Sequence, residues 1–349
     1  MAEPTQLQKL VQFTIKERDF REVCDFMHLP PRDVEALIVE ARAQGHEIDV
    51  RGHSIRVALA EDRQVDLGLK PEAKSYAIGA MGDLHAGSRY CRWDAVKDYV
   101  HHAYEKHGVR DIFQAGDLTE GIYRHASFER SNEGIEDQTA EMAEHLPKLK
   151  GLTYHAITGN HDITWMEKAG ISPGKTYMRV FREMGREDLR VYGDRSAYID
   201  FNGVRIHLWH PGGGGAYALS YNLQNKVLSY PPGQKPQITI AGHWHTAGYF
   251  PLRGVHAILA GAWQGGGGQF PKSMKQRVPA TIGSWILKYS TTSEGSIRNF
   301  EPILRSYFER EDLWIAGKRE TPAEGDLGRQ VTRGNWREVQ VKDPTKIIF

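Results

Sequence analysis

Gly82-Asp83-Leu84-His85-Ala86-Gly87-Ser88 follows the apolar, β-prone run Ser75–Met81 and places a carboxylate and an imidazole two residues apart where a strand should end. Four more segments of the same kind lie downstream: Gly116-Asp117-Leu118-Thr119-Glu120, Gly159-Asn160-His161-Asp162, Trp209-His210-Pro211 and Gly242-His243-Trp244-His245. Each comes just after a short apolar run. Each holds a residue that can ligate a metal through nitrogen or oxygen, and none holds cysteine. That donor set suits a pair of borderline-to-hard divalent ions rather than a structural zinc knot. The glycines let the backbone turn sharply, which brings the donors together at the carboxyl ends of the strands.

In this order the five segments resemble the signature of the calcineurin-like metallophosphoesterases: D-x-H, GD, GNH[DE], a lone H, and GH-x-H. The resemblance covers about residues 76–290. It implies two packed mixed β-sheets flanked by helices, and a hydrolase acting on phosphoric esters. It also implies a ligand assignment. Asp83, His85 and His245 would hold one ion, Asn160, His210 and His243 the other, and Asp117 would bridge them. His161 would sit beside the scissile phosphate, and Asp162 would stand behind the ligands, orienting an imidazole. A bridging carboxylate keeps two cations at roughly 3.5–4 Å, the separation that clamps the attacking and leaving oxygens of an in-line displacement. Neutral imidazoles and the Asn160 amide complete the shell without cancelling the positive charge a phosphate must feel. His161 would protonate the leaving alkoxide or stabilise charge on the phosphoryl oxygens.

The sequence also departs from part of that family. The protein Ser/Thr phosphatases of the superfamily carry an arginine shortly after the second motif, and GNHE as the third. Here the second motif continues Glu120-Gly121-Ile122-Tyr123 and the third is GNHD. The resemblance therefore tends toward double-strand-break repair nucleases, the exonuclease-bearing small subunit of archaeal replicative polymerases, and phage metallophosphoesterases. It implies a two-metal phosphodiesterase acting on nucleic acid, first of all a DNA nuclease of exonuclease type. One alternative is a phosphodiesterase or phosphatase for a small molecule. Another is a non-catalytic subunit of a replication or repair complex. Manganese is the first choice of metal, with iron, zinc, magnesium or nickel also compatible with these ligands.

Composition bounds the rest. The chain of 349 residues is 40% apolar and 26% charged, as expected of a globular protein with one large domain and a small one. No apolar run approaches the roughly 20 residues of a membrane span, and no secretory signal opens the chain. Cys24 and Cys91 fit a reducing, cytoplasmic setting. Net charge is +1. Residues 1–70 carry 10 Lys+Arg against 13 Asp+Glu, and residues 301–349 carry nine of each, so the positive charge lies in the middle.

Periodicity divides the chain into three parts. In residues 1–70, helices over 5–17, Phe20–Met27 and Asp33–Gln44, then strands Glu47–Val50 and Ser54–Ala58, suggest a winged helix-turn-helix. Its third helix carries Arg32 and Arg42 but also Asp33, Glu35 and Glu40, so the module would serve either DNA positioning or protein docking. Residues 71–300 alternate strands and helices. Tyr198–Phe201 and Val204–Trp209 form a hairpin across Asn202-Gly203, and Gly254–Ala262 and Thr281–Tyr289 close a second sheet. Residues 301–349 form an extension expected to pack on the catalytic domain. Arg124, His125, Gly212 and Gly213 are candidates for contacting substrate phosphate. Glu120 reads first as a loop carboxylate, with approach to the metals from behind their ligands as the alternative. Nucleic acid would be the substrate partner, a homodimer or a repair or replication protein the possible assembly partner, and a membrane would play no part.

Overall fold

The computed structural model describes residues 3–123, 129–214, 216, 218–265 and 280–307. Arg124, His125 and the extension beyond Tyr307 lie outside them. No helix among the described residues is long and apolar enough to cross a membrane.

The chain opens with α1 (Gln6–Thr14), the two-residue strand β1 (Arg18–Asp19), α2 (Phe20–Met27) and α3 (Pro31–Ala43), followed by β2 (Glu47–Arg51) and β3 (Ser54–Ala58). Thr5 and Gln8 cap α1 reciprocally, and Asp19 caps α2. Pro31 occupies the first turn of α3, where its missing N–H costs nothing. The strands pair in the order β1-β3-β2. The next strand, β4 (Arg63–Asp66), does not stay with this module. It runs parallel to a strand of the following sandwich, with Arg63 opposite Ala197 and Asp66 opposite Asp200. The expected boundary at residue 70 thus falls after a strand that the larger domain already owns.

That domain alternates β5 (Ser75–Met81), α4 (Trp93–His107), β6 (Asp111–Ala115), α5 (Ile135–His145), β7 (Thr153–Thr158), α6 (Asn160–Ala169), α7 (Pro173–Glu183) and β8 (Leu189–Asp194). It continues with β9 (Ser196–Phe201), β10 (Val204–Trp209), α8 (Tyr221–Ser229), β11 (Ile238–Ala241), β12 (Ala247–Leu252), β13 (Val255–Ala260), β14 (Gly283–Thr291) and β15 (Ile297–Ser306). Two six-stranded sheets result, ordered β15-β14-β5-β6-β7-β8 and β12-β13-β11-β10-β9-β4. Their facing sides share one core, in which Ile78, Phe113 and Ile157 of the first sheet meet Ile199, Ile206 and Ile258 of the second. The outer face of the first sheet is covered by α4, α5 and α7, through Tyr99, Met142 and Tyr177. The β9–β10 turn has positive φ at both Asn202 and Gly203, as a type I′ turn requires.

One expectation is corrected. The strand over Thr281–Tyr289 closes the first sheet, pairing antiparallel with β5, and not the second. An apolar run shows that a segment is buried between layers but not which layer claims it.

The module and the sandwich share a core. Ile163 and Met166 of α6 are buried among Leu7, Leu10, Val34 and Ile38 of the helices before them. The Gln12 side-chain amide also donates to the Lys168 carbonyl at 2.7 Å. The helix that begins with Asn160 and His161 is therefore held from outside by the amino-terminal module.

Candidate metal centre

All five segments arrive at one end of the sandwich, because β5, β6, β7, β10 and β11 each stop where a motif begins. The first two loops lie side by side. The Leu84 and His85 amides donate to the Asp117 carbonyl at 2.9 and 3.0 Å, and the Ala86 amide donates to the Leu118 carbonyl at 3.0 Å. This stitching fixes an unusual backbone. Asp83, His85, Asp117, His243 and His245 all have positive φ, between 41° and 83°, and are five of the ten non-glycine residues so placed among the described ones. Such conformations persist only where surrounding structure enforces them. Two glycines meet the same crowding. A Cβ at Gly159 would stand 2.1 Å from Asp117 Oδ1, and one at Gly116 would stand 2.5 Å from His210 Nδ1.

The seven expected ligands fall into two groups, and a third cluster of metal-capable side chains among the described residues joins His85, Glu120 and His161. In the first, Asp83, His85 and His245 are buried and converge. His85 Nε2 and His245 Nε2 are 3.1 Å apart, and His245 Nε2 is 3.6 Å from Asp83 Oδ1. In the second, Asp117, His210 and His243 converge, and Asn160 joins them. Asn160 Oδ1 lies 2.9 Å from His210 Nε2 and 2.7 Å from His243 Nδ1. Asp117 Oδ2 is 3.3 Å from His210 Nε2 and 3.8 Å from His85 Nε2, which places this oxygen between the groups. All seven residues expected as ligands are thus brought together.

Charge shows what the groups lack. Burial opposes a cation on His85, yet the Glu120 carboxylate bonded to it, with Asp117 and Asp83, raises it to about 9. Burial opposes His210 likewise, and Asp117 carries it to about 9. Burial and His210 lower His243 to about 4, and burial with His85 holds His245 well below the usual imidazole range. Burial alone would raise Asp117, but His210, His161 and His85 hold it well below the ordinary carboxylate range. Burial pushes Asp83 up to about 7. In each group the neighbouring carboxylates favour positive charge on one imidazole, while burial and a neighbouring imidazole disfavour it on the other. Oxygen and nitrogen donors about 3 Å apart, buried and aimed at each other, are the edges of a coordination shell, so the residues fit divalent cations.

Behind the ligands, a backbone or carboxylate oxygen faces the second nitrogen of three imidazoles. Glu120 Oε2 lies 3.0 Å from His85 Nδ1, the Ala115 carbonyl 2.8 Å from His210 Nδ1, and the Gly213 carbonyl 2.6 Å from His243 Nε2. Such contacts fix the tautomer and the ring orientation. Glu120 is almost wholly buried, accepts from Gln264 Nε2 at 3.2 Å, and is no mere loop carboxylate. Only its place in the second motif could have signalled this. Gly213 meets a ligand through its carbonyl, and Gly212 lies exposed against the Arg195 guanidinium.

His161 is half-buried at the mouth of the centre. Its amide donates to Asp117 Oδ1 at 2.8 Å, and Nδ1 lies 2.8 Å from the Glu120 carbonyl, which leaves Nε2 as the nitrogen open to a ligand. Asp162 differs from the expectation: among the described residues its hydrogen bonds go to backbone amides and hydroxyls rather than to an imidazole. It accepts from the amides of Leu118, Thr119 and Gly159 at 3.0, 2.9 and 2.7 Å, and from the hydroxyls of Thr119 and Tyr177. A carboxylate at the start of a helix is well placed to bind amides, and here it clamps the second motif to the third.

A sequence profile described as calcineurin-like phosphoesterase matches residues 76–247. Over those residues the chain matches the calcineurin-like phosphoesterase family. The match supports a hydrolase acting on phosphoester bonds, and the donor groups are compatible with a binuclear divalent-metal site. Solved structures similar to the phosphoesterase include an archaeal phosphodiesterase, 13% identical over 66% of this chain and 100% of that one, with a TM-score of 0.37. Vps29 from Entamoeba histolytica complexed with zinc is 13% identical over 66% of this chain and 99% of its own, at 0.32. A hypothetical protein from Pyrococcus horikoshii is 9% identical over 67% and 90%, at 0.38. No curated protein sequence matches the chain.

Proposed function

We propose that the phosphoesterase hydrolyses phosphodiester bonds of nucleic acid, with DNA as the first substrate to try. The supporting observation is Glu120. A phosphomonoester brings close to two negative charges and a diester brings one. This chain lacks the arginine that the protein Ser/Thr phosphatases carry shortly after the second motif, and it keeps a carboxylate beside His85 that burial leaves largely unscreened. That extra negative charge disfavours a dianionic monoester more than a diester.

Two divalent cations would be held by Asp83, His85 and His245, and by Asn160, His210 and His243, with Asp117 shared, manganese being the first metal to test. When bound they would supply Lewis-acid charge against the phosphoryl oxygens and lower the pKa of water. The chain's own part is positional and protonic. Glu120, the Ala115 carbonyl and the Gly213 carbonyl hold the imidazoles at fixed angles. Asp162 locks the loop that carries Asp117 against the start of α6. His161, fixed through Nδ1, presents Nε2 to the leaving oxygen, where it donates a proton or stabilises developing charge.

The test is hydrolysis of end-labelled single- and double-stranded DNA beside bis-p-nitrophenyl phosphate and p-nitrophenyl phosphate, with manganese and with His161→Ala as control. Loss of DNA that depends on His161, with the diester turned over faster than the monoester, is the expected result. Intact DNA alongside turnover of the small diester would move the substrate to a small molecule. Preference for the monoester would overturn the Glu120 argument.

A further inference from the structure

A cleft of about 980 Å³ opens between the amino-terminal module and the phosphoesterase domain. Gln8, Glu40 and His46 line it from one side, and Ser172, Lys175 and Arg182 from the other. It lies beyond the carboxyl end of α6. His161 lies in the first turn of that ten-residue helix, ~13 Å away along its axis.

Three independent features give the cleft one chemistry. First, α7 begins on it with Pro173 at N1, and its N-cap residue Ser172 makes no side-chain capping bond, so the amide end of the helix is left open to an anion. Second, Lys175 and Arg182 are exposed cations without a carboxylate partner among the described residues. By contrast, Arg179 between them is held by Glu136 and Glu183. Third, His46 is 5% exposed, and its Nδ1 is buried with no hydrogen-bond partner. An unmet buried polar atom of this kind is destabilising unless a ligand or water meets it. Gly45 has φ +102°, and a Cβ there would stand 2.1 Å from Lys175 Cε, so the lysine lies directly along the backbone beside His46. Burial and the Lys175 ammonium both hold His46 below the usual imidazole range. The one acid among the lining residues, Glu40, accepts from its neighbour Gln44 at 3.2 Å.

We propose that this cleft is a phosphate-binding site, separate from the metal centre, formed by the start of α7 with Lys175, Arg182 and His46. Lys175 and Arg182 are seven positions apart, ~10 Å along the helix. An occupant carrying more than one phosphate could meet both. The site depends on no particular substrate at the metal centre.

Binding is measured on the full chain kept free of metal by chelation, so that the metal centre neither holds phosphate nor cuts the probes, and turnover is measured on the same chain loaded with manganese. Inorganic phosphate, adenosine monophosphate and a labelled single-stranded oligonucleotide are titrated against wild type, Lys175→Glu/Arg182→Glu and His46→Phe. Hydrolysis of bis-p-nitrophenyl phosphate and the urea midpoint are followed alongside. The double variant is expected to bind phosphate-bearing probes about tenfold or more weakly, and His46→Phe also more weakly, with diester turnover and urea midpoint unchanged. A salt-sensitive oligonucleotide complex much tighter than that of the mononucleotide would identify a nucleic-acid strand as the occupant, and equal affinity would identify a mononucleotide. Wild-type affinity of the double variant for all three probes would overturn the site, whatever the metal centre hydrolyses.

Discussion

On the proposed reading, His161 meets substrate and Glu120 steadies a ligand. Their variants should separate accordingly. His161→Ala should lower turnover by about 10²–10⁴-fold while metal content, read by elemental analysis, stays unchanged. Glu120→Gln should instead weaken metal affinity or activity by about 10–100-fold, detected as a shift in the metal concentration needed for half-maximal turnover. The imidazole charges give a further expectation. His85 and His210, each raised to about 9 without metal, belong to different groups. Their carboxylate neighbours favour the protonated form, and a bound metal would displace those protons. Affinity should therefore rise with pH toward 9. Titration calorimetry in buffers of different ionisation enthalpy should show net proton release on cation binding near pH 7.5. Absence of proton release would refute the picture. The seven residues that the fold brings together could be picked out from the sequence, because each sits in a short motif at a strand end. Glu120 and Asp162 could not be assigned correctly. Their roles depend on which loop lies beside which, and spacing along the chain carries no such information.

α6 shows how one element serves two purposes. Its first turn presents Asn160 and His161, while Ile163 and Met166 are buried against the amino-terminal helices. Met166→Ala should cost about 2–5 kcal/mol, measurable as a lower urea midpoint. β10 offers a pH-dependent counterpart. His207 is fully buried, stacked on Tyr198, with Nε2 2.8 Å from the Ser196 hydroxyl and Nδ1 facing the Tyr230 hydroxyl. Burial, then Lys226, holds it well below the usual range. The unfolded chain therefore binds the extra proton. Stability from neutral His207 is complete above about pH 6.5 and declines below it, by up to about 1.4 kcal/mol per pH unit. In His207→Gln that part of the slope between pH 6.5 and 5 should vanish. The periodic helices and the motif-bearing strands could be read because their patterns are local. The sheet membership of β4 and β14 could not, since pairing across the sandwich is a property of distant partners.

For the whole molecule, the decisive fact is that the first 66 residues do not form a bead on a string. β4 supplies the outermost strand of the second sheet, and the helices before it fill the hollow against α6. A chain started at Ser75 would leave β9 with an open edge and would expose Ile163 and Met166 to water, the usual preconditions for aggregation. The module and the phosphoesterase domain should accordingly melt in a single calorimetric transition. Limited proteolysis between Asp66 and Ser75 should nick the chain without releasing a soluble fragment. In lineage terms, a module wired in this way cannot be gained or lost by simple recombination at its border. Any shorter relative would need its own means of covering that edge.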